Sequence, residues 1–197
     1  MKADFHLHCD EYSECGVSKT EDMIKAAIKV DLDAIVFTNH HQFIPEKELE
    51  LLNKKYQSIE IFNGIEITAN REDFIILGLK DKRLEREDWS YENLYDFVKS
   101  KGGFIILAHP FRYATKINFD LAKYPPDAVE IDSINILTAN KIKIKELINK
   151  YNLLPLTNSD AHDKKDLGKY YNSFTASFNT LQELINAIKN KNYSLCN

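Results

Sequence analysis

Six histidines are spread along the 197 residues, at His6, His8, His40, His41, His109 and His162. His6 and His8 lie two apart in "ADFHLH". In an extended strand such residues point to the same side, about 7 Å apart, so both imidazoles can turn toward one cation. His40 and His41 end "IVFTNHH", His109 sits in "FIILAHP", and His162 ends "LPLTNSDAH". All six therefore fall at or just past the C-terminal end of a short apolar run that reads as a strand. Carboxylates hold equivalent places: Glu66 in "FNGIEI", Glu130 in "AVEI", and Asp160 two residues before His162. Imidazole mixed with carboxylate suits Zn²⁺, Mn²⁺ or Fe²⁺, and several carboxylates together often hold two ions about 3.5–4 Å apart. One histidine in an "AHP" turn is ordinarily structural. Six sharing one place in the local pattern point to a common metal site.

The elements that must position them alternate. Residues 2 to 8 and the continuous apolar run "DAIVFT" read as strands, the second buried on both faces. Between them "VSKTEDMIKAAIKVD" carries a capping box, Ser18 with Glu21, ahead of apolar residues at helical spacing. "PEKELELLNKKY" reads as a helix with Pro45 at its first position. "IEIFNGIEI" and "DFIILGL" read as neighbouring strands, the second antiparallel. "SYENLYDFVKSKGG" is a helix ended by glycines, "FIILAHP" a buried strand stopped by proline, and "DAVEI" a short strand before the helix "TANKIKIKELINKY". "LLPLTNSDAH" is strand then loop, "NSFTASF" alternates like a strand, and Thr180 with Glu183 opens a last helix. Parallel strands joined by right-handed helical crossovers follow from this order. About seven such units close best as a (β/α) barrel with the active site at the C-terminal ends of the strands. A doubly wound sheet is the alternative.

No repeat, low-complexity tract or Pro/Gly/Ser-rich linker interrupts the chain, so residues 1–197 read as a single domain. A net charge of −4 with both signs interspersed argues against a broad nucleic-acid footprint. Three cysteines, Cys9, Cys15 and Cys196, form no CxxC pair and leave one over, which fits a reducing cytoplasm better than a disulfide framework. No apolar run approaches a membrane span and no leader pattern opens the chain. A cytoplasmic setting is the expectation, with no membrane and no obligatory protein partner.

These motifs resemble, in order and across nearly the whole chain, those of the PHP (polymerase and histidinol phosphatase) family of metal-dependent phosphoesterases. The matching residues are "HLH" (His6, His8), "TNHH" (His40), "NGIEI" (Glu66), "AHPFR" (His109) and "NSDAH" (Asp160, His162). The resemblance implies a distorted (β/α)7, TIM-like barrel and two or three divalent ions (Zn, Mn or Fe). It implies that His6, His8, Glu66 and Asp160 hold one metal and that His40 and His162 hold a second. Glu66 with His109 would reach toward a third, making Glu66 the bridging carboxylate. The second metal needs one more ligand from the loop "CDEYSECG". Glu14 is the choice there, with Asp10 and Cys15 as alternatives. Two departures stand out. Asn39 replaces an acid in "TNHH", which is tolerable because that residue need not bind metal. Ile75 stands where many members carry a histidine before the glycine of "DFIILGL", which weakens the third position. His41 points away from His40 if the segment stays extended.

The implied chemistry is hydrolysis of a phosphoester. Arg112, three residues after His109, is placed for bidentate phosphate contact. Asp160, His162 and Arg112 are the candidate catalytic residues, the first two doubling as ligands that could relay a proton. Residues 80 to 102 insert no large cap, so the expected site is open and takes a small phosphorylated substrate, a nucleotide or a nucleic-acid end. Tyr12, Phe43, Phe111 and Tyr113 could stack a base there, though packing explains them as well. Two rivals remain: an amidohydrolase-type hydrolase, against which no strand is followed by a carbamate lysine, and a non-catalytic metal-binding module of the same family.

Overall fold

In the computed structural model, which describes residues 1–86 and 88–197, the apolar runs become ten strands in two five-stranded sheets. The first sheet contains β1 (Lys2–Leu7), β2 (Ala34–Phe37), β3 (Glu60–Asn63), β9 (Tyr171–Phe174) and β10 (Tyr193–Cys196), in the order β10-β9-β1-β2-β3. The second contains β4 (Ile65–Ala69), β5 (Glu72–Leu77), β6 (Phe104–Ala108), β7 (Ala128–Asp132) and β8 (Leu154–Thr157), paired in chain order. Five helices connect them: α1 (Thr20–Lys29), α2 (Glu46–Lys55), α3 (Tyr91–Ser100), α4 (Lys141–Tyr151) and α5 (Leu181–Lys189).

The parallel crossovers expected from the alternation are present between β1, β2 and β3 and between β6, β7 and β8. Four pairings are antiparallel instead: β5 against both β4 and β6, and β9 against both β1 and β10. A connection of two residues between β4 and β5 leaves room for nothing but a hairpin. β10 goes beyond the sequence reading, its "YSLC" too short and mixed to show a period.

The ladders do not close into one barrel. "IEIFNGIEI", expected as a single strand, divides at Gly64 into β3 and β4, which belong to different sheets. A Cβ at Gly64 would lie 2.8 Å from Leu77 Cδ2, so a larger residue at this junction would make the Leu77 side chain shift. At the other seam, a side chain replaces the backbone ladder. Asn172 on β9 accepts from Thr157 N–H on β8 and donates to the Thr157 carbonyl.

Apolar residues from both sheets nevertheless share one interior: Phe5 and Val36 from the first meet Ile75, Phe104, Ile106 and Leu156 from the second. The apolar face of α5 (Leu184, Ile185, Ile188) joins this core. Helices α1 and α2 cover the outside of the first sheet, and α3 and α4 the outside of the second. This arrangement is unlike a doubly wound sheet, which has helices on both of its faces. The Thr180–Glu183 capping box forms at α5. The one expected at Ser18 does not: α1 starts at Thr20, and Ser18 Oγ accepts from the Lys164 N–H. Pro45 lies just before α2.

Candidate metal centre

Ala3 and Phe5 of β1 point into the shared core, whereas Leu7 packs in the outer cluster with α1 and α2. A register irregularity between Asp4 and Leu7 marks the change, and His6 and His8 lie where the strand finishes. Both imidazoles are fully buried. His6 Nε2 lies 3.1 Å from Glu66 Oε2 and 3.3 Å from Asp160 Oδ1, and His8 Nε2 lies 3.0 Å and 3.3 Å from the same two atoms. His40 Nε2 is 3.4 Å from Glu66 Oε2, and His109 Nε2 is 3.2 Å from Glu66 Oε1. Glu66 is thus ringed by four imidazoles. His162, on the Asp160 side, stacks on His8 with ring centroids 4.4 Å apart.

Among the described residues, His6 Nε2, His8 Nε2, both Glu66 oxygens, Asp73 Oδ2 and Asp160 Oδ1 are buried without an aligned hydrogen bond. Leaving so many polar atoms unsatisfied in one spot is costly, and natural proteins avoid it unless something else binds them. Donor atoms fall within 4.8 Å of one another in four overlapping groups: His6–His8–Glu66, His6–His109–Asp160, Glu66–Asp73–His109, and His8–Cys15–His40–His162. Nitrogen and oxygen donors this close, aimed at common points and lacking other partners, fit divalent cations.

Imidazoles and carboxylates of the cluster oppose the effect of burial on one another. Burial alone would push Glu66 and Asp160 up, but the surrounding imidazoles, His6 foremost, hold both carboxyls well below the usual carboxylate range. Burial would lower the histidines, and the carboxylates more than offset it, raising His6, His8 and His109 above their ordinary value. Two ligand positions are held in left-handed backbone, His109 at φ 23° and Asp160 at φ 53°. Strain of this kind in non-glycine residues is concentrated at functional sites.

A supporting layer orients the ring. His6 Nδ1–H donates to Glu130 Oε1 over 2.9 Å, and Glu130 Oε2 accepts from the His109 N–H, also over 2.9 Å. Glu130, one of the strand-end acids, therefore stands behind the imidazoles. Asn158 Nδ2–H donates to the same Glu130 Oε1. Glu130→Gln is expected to fold and to lose roughly 10–100-fold in metal affinity, the usual cost of removing an orienting carboxylate; titration of the metal-stripped variant with Zn²⁺ measures it.

The loop after the histidine pair differs from the expectation. Glu14 is exposed and belongs to none of the donor groups, and Asp10 is exposed as well. The loop delivers Cys15 instead. Tyr12 and Ser13 N–H groups both return to the Cys9 carbonyl, and Val17 and Ser18 N–H groups both donate to the His162 carbonyl. Gly16 packs so closely that a Cβ would sit 2.4 Å from the Cys9 backbone. Burial opposes ionisation of Cys15, but His162, His40 and Ser13 bring its thiol down to about 5. Ser13, unnoticed in the sequence, accepts from the His40 N–H and lies 3.3 Å from His8 Nδ1. Asn39 braces the same loop by accepting from the Cys9 N–H.

Asp73 was also outside the sequence reading. It shares a face of β5 with Ile75, pairs in register with Ala108 beside His109, and reaches to 3.8 Å from His109 Nε2. A carboxylate two residues before Ile75 thus supplies a donor where the histidine is missing. His41 turns away, with Nδ1 bonded to the Arg86 carbonyl and Nε2 accepting from Thr68 N–H. Arg112, 33% exposed, places Nη1 3.4 Å from both Asp160 Oδ2 and His109 Nε2. On the opposite side, next to His40 and Cys15, a cavity of about 550 Å³ opens between the 10–15 loop and Gln42. Of the aromatics considered for base stacking, Tyr12 is tied to Glu48 through its hydroxyl, and Phe43 and Phe111 pack on the core around α3. Tyr113 stays half exposed, edge-on to His109.

Residues 140–193 match the family model described as PHP-associated. Among solved structures, a two-domain protein from Bacteroides vulgatus containing a predicted PHP-like metal-dependent phosphoesterase superposes with a TM-score of 0.74 at 20% identity. That match covers 99% of this chain, which spans 64% of the other protein's length. PsfC from Pseudomonas syringae gives a TM-score of 0.69 at 18% identity, covering 92% of this chain and 86% of that one. An amidohydrolase from Chromobacterium violaceum, solved with bound sulfate, gives 0.65 at 14% identity, covering 85% and 90%. At such identities the likeness establishes a shared fold. No curated protein matches the sequence.

Proposed function

We propose, taking the chain as a member of the PHP family on its family match and its site together, that it is a metal-dependent phosphoesterase. The two abutting sheets are then a broken form of the family's distorted (β/α)7 barrel, with the site at the strand ends. The observation that carries the reading is the set of buried, unpartnered donor atoms around Glu66 and Asp160, with one arginine at their edge.

Divalent ions held by these residues would acidify a water and neutralise phosphoryl oxygens. His6, His8, Glu66 and Asp160 fit one position, His40, His162 and Cys15 a second, and Glu66, Asp73 and His109 a third. The chain's own contribution is preorganisation: Glu130 and Ser13 fix the imidazoles, and the burial of Glu66 and Asp160 excludes water from their far sides. Arg112 provides the cationic fork for phosphoryl oxygens, tethered loosely enough by Asp160 to swing toward substrate. Asp160 and His162, the candidates for relaying a proton, serve as ligands in this reading, so no separate general acid is assigned. The open rim suits small phosphorylated molecules, nucleotides or nucleic-acid ends.

Alanine replacement of Asp160 or His8 should abolish hydrolysis of an aryl phosphate with the far-ultraviolet spectrum unchanged; activity retained in both variants rejects the proposal. Arg112→Ala should lower kcat/KM by roughly 10–100-fold while leaving metal content intact, since it removes a charge contact to the phosphoryl group and no ligand. Kinetics and metal analysis on one preparation test both halves of that statement. A second reading, an amidohydrolase, is favoured by the Chromobacterium neighbour. Against it, Glu66 occupies the shared position, and among the described residues no lysine pairs with Glu66 or Asp160. Amide and phosphoester substrates assayed side by side with Zn²⁺ and Mn²⁺ separate the two.

A further inference from the structure

We infer that Cys15, with His40 and His162 and next to His8, makes a thiolate position selective for Zn²⁺ or another thiophilic divalent cation, chemically unlike the carboxylate-rich positions beside it. The inference rests on the metal-dependent reading above and adds to it the type of ion each position prefers.

The geometry is specific to this cysteine. Its sulfur lies within 4.8 Å of donor nitrogens from all three histidines. Cys9, six residues earlier, is fully buried and its thiol donates to Asn39 Oδ1, which removes it from the cluster. Cys196 ends β10 and belongs to none of the donor groups. The loop also carries two acids that would have made a hard oxygen site, Asp10 and Glu14; they are exposed, as Cys15 is, but only Cys15 brings its donor atom within reach of the imidazoles. What fixes Cys15 instead is backbone: the turn through Ser13, the close approach of Gly16 to Cys9, and two N–H bonds onto the His162 carbonyl. Ser13 Oγ, 3.5 Å from the sulfur, also receives the His40 N–H, so the thiol and one imidazole are set by the same hydroxyl.

Donor type then separates the positions. Sulfur with imidazole nitrogens favours Zn²⁺ over Mn²⁺ and Mg²⁺, whereas Glu66, Asp73 and Asp160 give an oxygen-rich neighbourhood that accepts harder ions. His8 stands between the thiolate group and the one built on Glu66, so the two positions are adjacent. A centre with two different metals is the natural filling.

The test uses the full chain, stripped of metal and reloaded. With Co²⁺, the wild type should show a thiolate-to-metal charge-transfer band in the near ultraviolet; Cys15→Ser should lose it and Cys196→Ser should keep it. Dialysed against Zn²⁺ in a large excess of Mn²⁺, Cys15→Ser should retain about one fewer zinc per chain and bind Zn²⁺ about 100-fold more weakly or worse. Cys15→Asp guards against a folding artefact: it should still bind metal, without the band and with preference moved toward Mn²⁺. Identical spectra for wild type and Cys15→Ser, or unchanged zinc affinity, overturn the inference. Aryl phosphate hydrolysis on the same samples separates the two proposals. A band without hydrolysis keeps the thiolate position and removes the phosphoesterase, whereas hydrolysis with Mn²⁺ and no band does the reverse. Failure to bind any cation removes both.

Discussion

Glu66→Gln is expected to reduce kcat/KM for phosphoester hydrolysis by roughly 10⁴-fold or more, the scale seen when one member of a catalytic unit is lost. The substitution keeps the side chain's shape and exchanges one anionic oxygen for an amide. Its target is the atom pair that approaches His6, His8 and His40 through Oε2 and His109 through Oε1. Asp160 also meets four imidazoles, those of His6, His8, His109 and His162, but only Glu66 reaches His40. Metal content should fall along with rate, in contrast to Arg112→Ala, and near-native circular dichroism would show that the loss is chemical. Activity within tenfold of wild type would remove Glu66 from the centre. It would also leave three buried histidines and the half-buried His40 without an explanation.

The metal-stripped protein should lose stability as pH rises past neutrality, and Zn²⁺ should abolish that loss. Consider the signs. The histidines of the cluster have values raised above their ordinary 6.5, so the stability they contribute is complete below pH 6.5 and disappears as pH climbs through the raised values. Two buried acids act in the same direction. Asp4, under His6, and Glu72, beside Asp73, are both pushed up to about 7 by burial, and ionising them at higher pH opposes folding. Glu66 and Asp160 act oppositely: their contribution is present above the ordinary 4.5 and 3.8 and is lost as pH falls through their lowered values. The optimum for the metal-free chain therefore lies in mild acid, between about pH 4.5 and 6.5. Cations need the deprotonated imidazoles that dominate at higher pH, so binding strengthens where the internal ion pairs fade. At a thousandfold excess over Kd a single bound ion adds about 4 kcal/mol, or roughly 10 °C in Tm for a chain of this size. Thermal melts from pH 5 to 9, with and without Zn²⁺, should diverge steadily above pH 6.5. Parallel curves would show that metal and protons do not compete for the same atoms.

How far the sequence reveals this centre depends on the range over which each signal acts. The period of two in "DFHLH" places His6 and His8 together with no knowledge of the fold. The strand-end positions of His40, Glu66, His109, Asp160 and His162 follow from local apolar runs stopped by polar or proline residues. The structure brings all of these side chains to one place. Asp73 was hidden because it sits inside a strand; only the antiparallel register that sets it beside Ala108 makes it a neighbour of His109. The choice of Glu14 over Cys15 failed for a similar reason. In an irregular loop, pointing is decided by hydrogen bonds to Cys9 and His162 that no spacing rule encodes. The helices were readable from their apolar stripes, yet Ser18 was claimed by Lys164 N–H, a partner 146 residues away, and could not cap α1. Closure of a barrel is the least local property of all. At the two seams lie Gly64, between β3 and β4, and the Asn172 side chain, bonded to the Thr157 backbone, and neither announces its place in the sequence.

That split between the sheets has a mechanical meaning. His40 follows the first sheet and Glu66 belongs to the second; their backbones touch through an isolated parallel bridge, with the His41 N–H on the Glu66 carbonyl and the Glu66 N–H on the Asn39 carbonyl. His6 and His8 lie on one side of this boundary, and Glu66 and His109 lie on the other. Cations gripped by all of them would act as a clasp across an otherwise lightly stitched join. Breathing of the two halves, and with it solvent exchange of the amides at residues 41 and 66, would then be governed by the ions.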